Sequence, residues 1–449
     1  MFFASLKESK FYTVRHGLIL ALIIFFCQWS NVAAAGSAAV VPVDWQRFNK
    51  GTPADQLSLV AKNILQNANK YALTTWWNKK GFARQAGGYL NLGGVAENNI
   101  RPVADEVFAL AVSLKTGAYD ARRAGAAEQL ATERTKRMII SLAHTHVANS
   151  GKTGWGNSWQ SALWAGKTGV AGWLMWDKLS TVEQTELRKV VLFEANRFNE
   201  YKVPYYRSPN GKINYPGDTK AEENAWNATI LQTALAMMPN HPNKKIWTAK
   251  MNELMLSAFA RPDDVKSGAR YFGKSLVQWL NGSNINNDGT LVNQDKLHPD
   301  YMSDVSFNVQ AALLFGLAGM KVPPAALFNA ERIYQALSDG NFFGTNLYQP
   351  GSSLVVYPNG NAWGTQRRMN FALLDLEAAI FGFDSLANKK GDYWANLHLR
   401  KVLTMQNRSK DGRTYLYYGE DKYAGREEWV AEQAAQAYLV KWLQKQGVL

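Results

Sequence analysis

YMSDVSFNVQAALLFGLAGMKVPPAALFNAERIYQALSD, residues 301–339, holds the pattern that decides the fold. Val305, Val309, Leu313 and Leu317 recur every four residues with Ala and Gly between them, as a helix packed on other helices requires. Met320 to Val322 breaks the pattern. Pro323 and Pro324 then open a second helix, where a missing amide N–H costs nothing. The stretch therefore reads as one antiparallel helical hairpin. Working outward, periodicity, caps and breakers predict helices over 54–72, 102–117, 125–147, 158–177, 181–200, 220–240, 243–262, 301–319, 323–338, 367–383, 391–407 and 426–447. Twelve helices make six hairpins, an all-α chain.

The connections alternate in length. Ala118 to Ala124, Lys178 to Ser180, Met320 to Val322 and Asp384 to Lys390 are brief, whereas 73–101, 201–219, 263–300, 339–366 and 408–425 are long. In an antiparallel array that alternation collects the long loops at one end. They are rich in Trp, Tyr, Asn, Gly and Arg, and long loops in compact domains usually carry function. One rim is thus the expected working face, with small β-hairpins expected at Ser353 to Tyr357 and Thr414 to Tyr418. No Pro/Ser/Gly linker interrupts the chain after Val43, so residues 36–449 are expected to form a single helical domain.

Residues 1–35 read differently. Lys7, Lys10 and Arg15 precede a short apolar run, Leu18 to Phe26, and Ala33-Ala34-Ala35 supplies small residues before Gly36, the pattern of a cleaved secretory leader. The product is expected in the periplasm or outside the cell, as a monomer without stable membrane insertion. Cys27 is the single cysteine and falls inside the leader, so packing alone must hold the rest. The formal charge is +14. Excess charge informs about partners rather than fold. There is no Lys/Arg-rich arm and no zinc-ligand spacing, so nucleic acid is not expected and an anionic polysaccharide is the expected partner.

Six helical hairpins closed into a ring form a double layer, with inner helices around a central cavity, outer helices wrapping them, and elaborate loops on one rim. In segment count and loop alternation the chain resembles the (α/α)6-toroid enzymes that act on polysaccharides. These include lyases of the alginate-lyase and heparinase type and several glycoside hydrolase families. The resemblance implies an (α/α)6 toroid that works on a glycan at its rim.

Candidate chemistry sits where loops run into helices. Asn293-Gln-Asp-Lys-Leu-His-Pro-Asp-Tyr301, continuing to Asp304, gathers an imidazole, carboxylates and a phenol. Pro299 disfavours helical geometry for His298 and keeps that imidazole in the loop. Lys220-Ala-Glu-Glu-Asn-Ala-Trp-Asn227 puts Glu223 and Asn227 on one helical face, with Asn224 a further expected ligand contact and Glu222 placed to cap the helix. Gly154-Trp-Gly-Asn-Ser-Trp-Gln160 offers Trp155 and Trp159 for stacking on sugars, and Asn157 and Gln160 for hydrogen bonds. Tyr357 to Arg368 adds Trp363, Arg367 and Arg368, guanidinium being suited to a carboxylate. Arg426 is expected either to pair locally or to meet ligand.

Asn284, Asn286, Asp288 and Asp295 mimic part of a calcium-loop spacing, with Gly289 at the sixth place. The first residue is Asn rather than Asp and the last is Asp rather than Glu, so an Asn/Gly turn is the default, with no metal or cofactor expected. A serine triad, P-loop, dinucleotide fingerprint and zinc helix are missing. Acid–base work by His, Tyr and carboxylates remains.

The favoured expectation is a polysaccharide lyase cleaving a uronate polymer by β-elimination. Asn157, Asn224 and Arg367 or Arg368 would neutralise the carboxylate, with His298 as base and Tyr301 as acid. The alternative is an inverting glycoside hydrolase pairing Glu223 with Asp300 or Asp304, roughly 6.5–9.5 Å apart. A third is a glycan-binding or envelope protein without turnover.

Overall fold

Asp55 starts the helical array by accepting a hydrogen bond from the Ser58 amide at 3.2 Å, and Ser180 with Glu183 forms a reciprocal capping box for a later helix. Gly319, Gly382 and Gly447 end helices in the left-handed conformation, at φ 68°, 76° and 73°. Between such signals the computed structural model, which describes residues 39–449, places twelve principal helices. They are α1 Gln56–Tyr71, α2 Glu97–Lys115, α3 Glu128–Thr145, α4 Ser161–Leu174, α5 Thr181–Asn196, α6 Ala221–Met237, α7 Lys244–Ala258, α8 Ser306–Ala318, α9 Ala330–Asp339, α10 Arg368–Phe381, α11 Gly391–Gln406 and α12 Arg426–Gln446. The leader expected over 1–35, with Cys27, lies outside the described residues.

The even-numbered helices form a closed inner ring: α2 packs on α4, α4 on α6, α6 on α8, α8 on α10, α10 on α12, and α12 back on α2. Odd-numbered helices lie outside, as in the α6–α7, α10–α11, α2–α3 and α4–α5 pairs. The result is an (α/α) toroid. Every inner helix begins at the end carrying the long segments, so 72–96, 146–160, 197–220, 259–305, 340–367 and 407–425 all lie on one rim. Three two-stranded hairpins decorate it, pairing Arg270–Tyr271 with Lys274–Ser275, Val292–Asn293 with Lys296–Leu297, and Asn341–Phe342 with Thr345–Asn346. The expected hairpins at 353–357 and 414–418 do not form; Val355 makes only an isolated bridge to Tyr348.

Inner helices are enclosed on all sides, and α8 is buried from Ser306 to Leu317. Small residues let the layers approach. A β-carbon added to Gly172 on α4 would sit 2.1 Å from Leu187 of α5. At the opposite end, residues 41–51 cross the short turns: Val41 N donates to Met237 O at 2.8 Å, Trp173 Nε1 to Val41 O at 2.7 Å, and Gln446 Nε2 to Gly51 O at 2.7 Å. Trp45 and Phe48 pack on Trp442 there.

Two boundaries matter for the site. α2 begins at Glu97, a turn before the expected start near Pro102, which the helix absorbs in its interior. The expected helix 301–319 is split: Pro299–Ser303 forms a short helix with Pro299 in its first turn, and the chain turns at Asp304 and Val305 before α8. No described helix is long and apolar enough to cross a membrane.

Candidate active site

The inner helices' starts surround a cavity of about 280 Å³ lined by Glu97, Trp159, Gln160, Trp226, Asp300, Tyr301, Asp304, Phe307, Trp363, Arg367, Asn370, Tyr423 and Trp429. Seven of these, Trp159, Gln160, Asp300, Tyr301, Asp304, Trp363 and Arg367, were expected from the junction sequences. The split before α8 is what brings Asp300, Tyr301 and Asp304 to the wall together.

Asp300 meets only donors and a cation. Tyr357 Oη donates to its Oδ1 at 2.6 Å, Asn361 Nδ2 donates to Oδ2 at 2.8 Å, and Arg367 Nη1 stands 3.8 Å from Oδ2. Asp304, one helical turn on, opens to the cavity but is otherwise walled in by protein. Burial, together with the charges of Glu222 and Asp300, pushes its carboxyl well above the ordinary carboxylate range. Glu222 lies behind the wall. Its Oε1 accepts from Asn293 Nδ2 at 2.9 Å, its Oε2 is buried without a partner, and burial raises its carboxyl to about 8.

Arg367 is committed within the protein. Nε and Nη2 hold Asp421 at 3.0 and 3.2 Å, and the guanidinium lies 5.2 Å from the Trp363 ring and 4.6 Å from that of Tyr423. It braces the wall rather than presenting a free fork. Arg368 is buried and donates to Ser353 O at 2.5 Å and Thr365 O at 2.6 Å. Arg426 donates to Asp421 O, which ties down the last rim loop. Arg101 pairs with Glu97. Deeper in the ring, Lys167 Nζ lies 2.6 Å from Asp105 Oδ1 and 4.9 Å from the centre of the Trp429 ring.

Several expected site residues lie elsewhere. His298 is fully buried, does not line the cavity, and packs edge-on to Tyr301 at 4.6 Å and near Trp363 at 5.9 Å. Both of its ring nitrogens lack partners, and burial pushes the imidazole down to about 4. Asn224 turns to the outer layer, where Nδ2 donates to Pro204 O at 3.0 Å and Ser257 Oγ at 3.1 Å. Asn227 is buried away from the lining. Glu223 points outward, 3.4 Å from Lys220 Nζ and accepting from Tyr201 Oη at 3.4 Å. Trp155 is core, its Nε1 donating to Leu142 O at 2.9 Å. Asn157 is exposed in the rim loop, held through its backbone N–H by Glu194 Oε1 at 2.6 Å.

Side-chain oxygens of the expected calcium loop are taken up by protein donors. Asn284 Oδ1 accepts from Tyr206 N, Asn286 Oδ1 from Arg207 Nη2, and Asp288 Oδ1 from Thr290. Glu97, Trp226, Phe307, Asn370, Tyr423 and Trp429 are cavity residues that the sequence reading did not assign. Glu97 was hidden by the late start given to α2, and Phe307 by its place in an apparently continuous helix. Trp226 stands among polar residues at the start of α6, and nothing in the local pattern marks it as facing the axis.

No family model matches the chain, and no curated protein does. Among solved structures, an inactive variant of alpha-1,6-mannanase, GH76A of Salegentibacter sp., in complex with alpha-1,6-mannotriose, is similar at 13% identity and a TM-score of 0.41. The match covers 86% of this chain and 100% of that one. A likeness at that level carries no argument about activity.

Proposed function

We propose that this protein is a glycoside hydrolase that cleaves a neutral glycan in the rim cavity, with Asp304 as proton donor and Asp300 as base. The observation that carries the reading is the pair of aspartates one turn apart on the cavity wall. Their surroundings differ: Asp300 is hydrogen bonded by Tyr357 and Asn361 with Arg367 nearby, whereas Asp304 is desolvated beside Asp300 and Glu222. Two carboxyl groups in contrasting surroundings are what acid–base cleavage of a glycosidic bond uses. Asp304 gives its proton to the leaving oxygen as the bond to the anomeric carbon breaks. Asp300 takes a proton from the water that forms the new bond. Trp159, Trp226, Trp363 and Trp429 supply flat apolar faces for the sugar.

The lyase first expected from the sequence is less well supported. It needs a free cation for the substrate carboxylate and an accessible base. Arg367 and Arg368 are consumed by protein groups, His298 is sealed behind Tyr301 and Trp363, and the lining carries no cation besides Arg367.

Incubation with mannan, xylan, β-glucan and dextran, and with alginate as acidic control, tests the reading. New reducing ends from a neutral polymer, without the absorbance of an unsaturated uronate, are expected. Unsaturated product from alginate would restore the lyase, and retention without turnover would leave a binding protein. We further propose that the enzyme works in the periplasm or medium. Activity confined to the cytoplasmic fraction would refute that placement.

A further inference from the structure

The rim carries more exposed aromatic surface than the cavity requires. Each of its six long segments presents exposed aromatic surface, namely Tyr89, Trp159, Tyr215, Phe272, Phe343 and, in the last, both Tyr417 and Tyr418. Among the described residues, the end made by the short turns exposes none to that degree. Isolated exposed apolar side chains are ordinary, whereas a set confined to one end and rimmed by polar residues marks an interaction surface.

Two of these rings are displayed by the same device. Tyr271-Phe272-Gly273-Lys274 and Phe342-Phe343-Gly344-Thr345 each turn a tight antiparallel hairpin, with Tyr271 paired to Lys274 and Phe342 to Thr345. Phe272 and Phe343 have φ 49° and 56°, followed by Gly273 and Gly344 at 81° and 79°. A two-residue turn with both residues at positive φ is the place for Asn-Gly, and a bulky side chain there is strained. Phe343 is nevertheless 79% exposed. A strained backbone that holds an apolar ring in water is costly twice over, and gains something only when the ring meets a partner.

We propose that this aromatic crown binds a long neutral glycan chain over several sugar units outside the cavity, so that the substrate is a polymer rather than a short oligosaccharide. The inference rests on the hydrolase reading for its ligand class. Continuity supplies the link: Trp159 is 56% exposed and also lines the cavity, set edge-on to Trp226 at 5.3 Å. The hairpin tipped by Phe343 is flanked by Asn341, Thr345 and Asn346, which suit sugar hydroxyls, whereas the hairpin tipped by Phe272 carries Arg270 and Lys274, so an anionic bilayer is the competitor that the test must separate.

The test uses the Phe272→Asn/Phe343→Asn double variant, which installs Asn-Gly turns and so preserves the hairpins. Parent and variant are compared by electrophoresis through gels containing mannan, xylan, β-glucan or dextran, and by kinetics on the retarding polymer and on a trisaccharide. Several-fold weaker retention and a several-fold higher KM on polymer are expected, with trisaccharide kinetics at the parental level and a thermal midpoint at least as high. Equal retention of parent and variant, or a parent retarded by none of the glycans, would overturn the crown. So would loss of binding to phosphatidylcholine/phosphatidylglycerol vesicles in place of glycan. A parent that is retained but turns over nothing would refute the hydrolase while leaving the crown to be judged by the variant's retention alone.

Discussion

Asp304 and Glu222 show how burial decides what a carboxyl can do. Asp304 must be protonated to act as acid, and burial beside Glu222 and Asp300 favours that form by raising its carboxyl well above the ordinary carboxylate range. Turnover should therefore fall as rising pH removes that proton. Asp304→Asn should lose about 10²- to 10⁴-fold in kcat and this alkaline limb with it, as pH–rate profiles on the cleaved glycan would show. Glu222 gives a stability prediction. Its folded value of about 8 lies above the ordinary 4.5, so between those pH values the folded state holds a proton that the unfolded state has released. Stability should consequently fall with rising pH across that window, by at most about 1.4 kcal/mol per unit from this group. Glu222→Gln should flatten the fall in urea titrations from pH 5 to 8, and an unchanged slope would place the proton elsewhere. His298 reverses the sequence expectation. As a ring enclosed by Tyr301, Tyr357 and Trp363, it should cost about 2–4 kcal/mol of stability on replacement by Ala. Undiminished stability with abolished turnover would return it to catalysis.

Helices were the most legible level, and their ends the least. All twelve predicted segments correspond to observed helices, because apolar periodicity and capping residues are local signals. Pro102 obscured one end. Proline is commonest in the first turn of a helix, yet here it sits further in, and the turn it displaced carries Glu97 to the cavity. The break at Asp304 and Val305 is also invisible in the apolar pattern, which runs across it. Small residues in α4 carry a different message. Gly→Ala within a helix ordinarily adds up to about 1 kcal/mol of stability. At Gly172 the new methyl would meet Leu187 at 2.1 Å, so packing wins over propensity. Gly172→Ala should destabilise by about 1–3 kcal/mol in chemical denaturation, and a more stable variant would show that α5 can yield.

At the scale of the whole molecule the ring is closed by contacts far apart in sequence. Trp76 Nε1 donates to Glu428 Oε1 at 2.5 Å, and Arg101 Nη2 to Ala424 O at 2.6 Å. The strap at 41–51 covers the short-turn end, so the cavity is reached from the rim. A protein beginning after Gly51 should keep its helical content but unfold at a lower temperature and bind a hydrophobic dye, because Trp173 and Trp442 lose their cover. An unchanged midpoint would make the strap dispensable. The order of helices, their pairing into hairpins and the end that carries the long loops were determined by the amino-acid sequence alone, since each depends on periodicity over a few turns and on connection length. Which side chains face the axis was decided only by the tertiary structure. An outer helix announces its inward face by contrast with a polar one, but an inner helix is buried all round and offers no such contrast. For that reason Asn224 and Trp226, two residues apart on α6, could not be sorted from sequence: the first turns to the outer layer and the second to the cavity.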